Sequence, residues 1–170
     1  MELTIPFSTI VMAFLGFLGV YILLPFALIC RDFIILKLIN KFLLSKNFYA
    51  MLSENTKAKA CNNFIFAGRS LNMKFDSKDE TIYIFGDKEI SENEYHRLNK
   101  LLDKTIKTLD ATTPIIQSKI SRMDDIDKYY KLDAKLLDSL NDYVEKLYER
   151  EVNRLKNDNN VRSVVEWERT

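Results

Sequence analysis

Few residues in this chain have types and spacing that could do chemistry. Its single histidine, His96, stands in the first turns of a charged helical stretch, and its two cysteines, Cys30 and Cys61, are some thirty residues apart. An imidazole can act as a general base and a thiolate as a nucleophile, but each needs an orienting or activating neighbour. Neither the CNNF context of Cys61 nor the sequence around His96 supplies one. Asp124, Asp125 and Asp127 put at most two carboxylates on one helix face, and Asp76, Asp79 and Glu80 make a short acidic turn. Either would hold a hard cation weakly, and neither has the central glycine and terminal glutamate of a calcium loop. Zinc would need clustered Cys and His ligands. The glycines at 16, 19, 68 and 86 are too scattered for a phosphate loop. The reading is a non-enzymatic chain without catalytic, cofactor or metal residues.

What must be positioned, then, is a surface. The 170 residues are 47% hydrophobic and 29% charged, but these averages hide a split. Residues 7–30 carry no charge, residues 31–61 hold six Lys/Arg against two Asp/Glu, and 91–156 balance their many charges. The only basic block directly follows the apolar run, and nothing resembles a nucleic-acid groove.

The run FSTIVMAFLGFLGVYILLPFALIC spans about 36 Å as a helix, enough to cross a hydrocarbon core about 30 Å thick. The first six residues contain Glu2 and no Lys or Arg, unlike the basic start of a signal peptide, so residues 1–31 read as a retained transmembrane anchor. Ile29 breaks the small-residue pattern that would make Cys30 a lipoprotein cleavage site. Arg31, Lys37, Lys41 and Lys46 follow the span and no Lys or Arg precedes it, which predicts an inner-membrane protein with its N-terminus outside and its C-terminal domain cytoplasmic.

The remainder predicts a mostly helical α+β domain. Residues 32–67 form a basic juxtamembrane region, in which Ile34, Ile35, Leu38, Ile39, Phe42 and Leu43 oppose Lys37, Lys41 and Lys46, as in a helix lying in the lipid interface. Gly68 offers a left-handed stop, and 68–90 alternate as a β-hairpin ending at Gly86-Asp87. Ser91 and Glu94 form a capping box for a helix that should end at Thr112-Thr113-Pro114. With no Gly or Pro from Ile115 to Lys156, a second, coiled-coil-like helix should follow and close a helical hairpin over 91–156. Its best seam is Leu137, Leu140, Val144 and Leu147, the predicted partner-binding stripe for another protein or a second copy. The tail 157–170 opens on a polar Asn-Asp stretch, and Trp167 in it is a further docking candidate.

These features predict a single-pass membrane protein whose helical domain recruits or assembles partners, with membrane lipids as its other contact. In the opposite orientation, the anchor plus coiled coil resembles in architecture the inner-membrane subunit of a phage lysis (spanin) pair. Kept inside, a plasmid or phage exclusion or immunity protein is the other alternative.

Overall fold

The computed structural model describes residues 6–75, 81–132, 136–158 and 161. The fold is mostly helical, with one long apolar N-terminal helix and a small three-stranded sheet. The long helix, Phe7–Leu43, joins α1 (Phe7–Leu18) to α2 (Leu24–Leu38) through a π-helical turn at Gly19–Leu23 and closes on a second at Ile39–Leu43. The first π turn ends two residues before Pro25, which has no N–H to donate to the helix ladder. Residues 26–43 contain no Gly or Pro, so nothing local stops the helix as it leaves the apolar run. The basic region expected as a separate interfacial helix is therefore divided. Its first half ends the long helix, and its second begins α3 (Lys46–Cys61) after a break at Leu44, with Ser45 accepting from the Phe48 amide at 3.4 Å as N-cap.

A π extension, Asn62–Phe66, and Gly68 at φ 72° lead into the sheet, where β1 (Leu71–Phe75) pairs antiparallel with β2 (Thr81–Phe85). The sheet then gains a strand beyond the expected hairpin. Gly86 at φ 60° makes the tight turn that sends β3 (Lys88–Ile90) back along β2, with Phe85 opposite Lys88. The acidic turn 76–80 lies outside the described residues.

Two helices complete the bundle. α4 (Glu92–Tyr130) starts at the Ser91/Glu94 capping box and runs straight through Pro114, so the expected stop at Thr112-Thr113-Pro114 is corrected. An interior proline costs about 3 kcal/mol. Continuation keeps Ile116 and Met123 buried in the core, and Asn55 of α3 donates to the hydroxyls of Thr112 (2.8 Å) and Thr113 (2.9 Å) just before the ring. The break falls instead at Lys131, left-handed at φ 51°, whose amide bonds the Asp127 carbonyl at 2.7 Å while buried Leu132 anchors the chain beyond it. This is a helix cap in which tertiary burial replaces the usual glycine. The single helix expected over 115–156 is thus the second half of α4 and a separate α5 (Leu136–Asn157).

The expected two-helix hairpin is a three-helix arrangement: α3 lies between α4 and α5, which touch each other only lightly. Arg31 meets Tyr130, Lys119 meets Phe42 and Leu43, Asn55 meets Thr112, and Cys61 meets Thr105. The chain from 31 to 61 therefore climbs while α4 descends beside it. α5 climbs again, with Tyr143 edge-on to Tyr49 and Leu155 near Cys61. Two apolar clusters stack along this axis. The lower contains Ile39, Phe48, Leu52, Ile116, Met123, Leu132 and Leu140. The upper joins Cys61, Ile65, Phe66, Phe85, Leu98 and Leu155 and seats the sheet.

Candidate functional site

The long helix has 37 residues, about 55 Å at 1.5 Å per residue. Its apolar window has a mean hydropathy of 2.4 and no part buried against the rest of the chain, so it is long and apolar enough to cross a membrane. Phe14, Leu15, Phe17, Val20, Ile22, Leu23 and Phe26 all point outward. Uniform exposure of such side chains on a water-soluble surface would be costly, since burying each one contributes about 1.5–3 kcal/mol.

The character of the helix changes at Arg31. Its guanidinium pairs with Asp32 at 2.7 Å, donates to the Tyr130 carbonyl at 3.2 Å, and lies 5.7 Å above the Tyr130 ring. From there one face of the helix, with Ile35, Leu36, Ile39 and Leu43, packs on the lower cluster. The opposite face leaves Phe33, Ile34, Leu38 and Phe42 exposed beside Lys37 and Lys41. The Lys41 ammonium rests 5.5 Å from the Phe42 ring centre, and Lys46 is exposed in the first turn of α3. A groove of about 460 Å³ runs between this segment and α4, lined by Leu38, Ile39, Phe42 and Ile126 with Arg122 and Asp125 at its rim.

The seam of α5 is occupied within the chain. Leu140 and Leu147 are buried, Leu137 and Val144 half-buried, and Leu137, Leu140 and Val144 belong to the lower cluster. Trp167 lies outside the described residues.

The chemistry-bearing side chains do not converge. Cys61 opens on a cleft of about 440 Å³ of mixed character, lined by Leu101 and Leu155 as well as Lys57, Lys104, Glu151 and Arg154. Burial pushes the Cys61 thiol up, only partly opposed by the Thr105 hydroxyl that donates to Sγ at 3.6 Å. This favours the thiol over the nucleophilic thiolate. His96 stands nine residues from Thr105 along α4, about 14 Å away by helical rise, against the rings of Tyr83 and Tyr95. The cleft's one buried carboxylate, Glu151, is held by Arg154 through a bidentate contact with a shortest distance of 2.6 Å. Asp124 is paired with Lys128. Among the described residues no three His, Cys, Asp or Glu side chains gather as a metal site.

Sequence reasoning missed Lys119, which reaches the Leu43 carbonyl at 3.4 Å and closes the end of the long helix, with its ammonium 5.5 Å from the Phe48 ring centre. It also missed the placement of Tyr129-Tyr130 beside Arg31. Both are contacts across about eighty to a hundred residues, and no local pattern signals them. Comparison with known proteins finds no family model, no curated protein and no solved structure that matches the chain.

Proposed function

We propose that this chain is a non-enzymatic, single-pass protein of the inner membrane. Its long helix crosses the bilayer and carries a helical domain that binds a partner at the membrane. The observation that carries the reading is the unbroken course of Phe7–Leu43, with no buried residue in its apolar half and one face packed into the bundle in its second half. A rigid junction of this kind fixes the domain relative to the membrane, and tethering raises the effective concentration of the domain toward any partner in the same bilayer. The excess of Lys and Arg after the span supports an orientation with the domain in the cytoplasm.

Partner contacts belong on the surfaces the bundle leaves open rather than on the α5 seam, which the chain itself fills. One such surface is β1 at the far end of the bundle, an edge strand with Met73 and Phe75 exposed. The partner is another membrane protein or a second copy. A reporter fused after Thr170, active only in the cytoplasm, tests this orientation together with alkaline carbonate washing. The proposal requires retention in the membrane pellet and reporter activity. Quantitative release refutes spanning, and a silent reporter on a retained protein reverses the orientation.

A further inference from the structure

The antiparallel register of the long helix and α4 brings the C-terminal end of α4 back to the level where the uncharged run stops. Cys30 is the last residue of that run, and the next, Arg31, holds the Tyr130 carbonyl and ring. Tyr129, packed edge-on against Tyr130 at 4.8 Å, is 80% exposed at this level. Of the cations nearby, Arg31 is matched by Asp32 and Lys128 by Asp124, while Lys131, directly after Tyr130, is exposed. Resting on the reading that the long helix spans the bilayer, the geometry points to a second membrane contact, in which Tyr129 at the end of α4, backed by the half-buried Tyr130, seats in the lipid headgroup layer.

The occupant is the bilayer surface itself, and three observations favour it over a protein partner. The patch is held, through Arg31, at the level where the exposed apolar surface of the spanning helix ends. The helix has no break between that apolar run and Arg31, so the height of the patch is set by the chain and not by a hinge. An amphipathic ring with a hydroxyl edge suits the membrane–water interface, where tyrosine concentrates. The contact is aromatic and does not require anionic lipid. Its consequence is an upright domain. With residue 129 at the headgroups, His96 and the sheet beside it stand about 50 Å along α4 from the bilayer.

The chain's single tryptophan, Trp167, allows a direct test on the full-length protein. In a Trp167→Phe background, Tyr129→Trp keeps an aromatic ring at the patch, and His96→Trp places one at the far end of α4. Each variant is reconstituted in zwitterionic phosphatidylcholine vesicles, with and without lipid brominated near the acyl carbonyl. The expected result is blue-shifted emission at 129 with severalfold stronger bromine quenching than at 96, unchanged by high salt. Equal, weak quenching at both positions in protein that survives carbonate washing overturns the second contact and leaves the spanning helix standing. Loss of the protein to the carbonate supernatant overturns both. A circular dichroism spectrum matching that of the parent confirms that Tyr129→Trp has not disturbed the bundle.

Discussion

The two halves of the long helix share one backbone and are built for different surroundings. Residues 7–30 expose nearly every large apolar side chain and contribute no buried residue among those described, whereas 31–43 turn one face into a core with Phe48, Met123 and Leu140. On the proposal that the long helix spans the bilayer, lipid supplies the apolar contacts of the first half; in the second, α4 supplies them. The boundary is the first charged residue after the run, Arg31, which is already tied to α4. A composition shift that reads as a change of segment is, in three dimensions, a change of environment along a continuous helix.

The two halves should come apart most completely when the second loses its core. Leu140→Asp places an unpaired carboxylate in the lower cluster and should abolish cooperative folding of the domain while leaving the protein membrane-bound, because the apolar half does not depend on that core. Circular dichroism and limited proteolysis in detergent report the first effect, and pelleting reports the second. Phe48→Ala removes a fully buried ring from the same cluster and should cost about 3–5 kcal/mol in denaturant unfolding of the domain.

A smaller effect is expected where α3 braces α4. Asn55 is buried and its amide donates to two threonine hydroxyls, so Asn55→Leu should destabilise the domain by about 1–3 kcal/mol through the lost partners. An unchanged unfolding midpoint would mean that these bonds do not support passage of the helix through Pro114.

At the start of α4, Ser91→Ala removes the side-chain acceptor for the Glu94 amide and should cost about 1 kcal/mol. This effect depends on pH. Bonds from the Ser91 hydroxyl and amide hold the Glu94 carboxyl below its ordinary range. A carboxylate lowered in the folded state contributes stability above its unfolded pKa and loses it as pH falls through the folded value. The gap between wild type and Ser91→Ala should therefore be full near neutrality and narrow in acid. Smallest is Lys119→Met, which deletes the cation at the end of the long helix and should cost roughly 0.3–1 kcal/mol by the same unfolding assay.

What could be read from sequence was local and what could not was tertiary. The uncharged run announces an apolar helix, Ser91-Glu92-Asn93-Glu94 announces the box that starts α4, and Gly68 announces its left-handed turn, because each signal is complete within a few residues. Pro114 and Lys131 mislead for the same reason. Proline normally ends a helix and lysine normally continues one, but burial of Ile116 and Met123 carries the helix past the first, and burial of Leu132 stops it at the second. The α5 seam was read correctly as an apolar face, yet a heptad pattern does not name the surface that covers it, and that surface is α3 with the lower core. The candidate site fared similarly. Arg31, Lys37, Lys41 and Lys46 could be picked out as a basic edge, but only the fold shows that Arg31 is engaged by Tyr130 while Lys37, Lys41 and Lys46 remain exposed.

The central claim is that a single helix passes from lipid into the bundle near Arg31. Single cysteines at Phe14, Ile22, Lys37 and Lys41, in a chain with Cys30→Ser and Cys61→Ala, can be challenged with a water-soluble thiol reagent in sealed, inside-out membrane vesicles. The account predicts protection at 14 and 22 and rapid labelling at 37 and 41. Rapid labelling at 14 and 22 in protein that remains folded would contradict it.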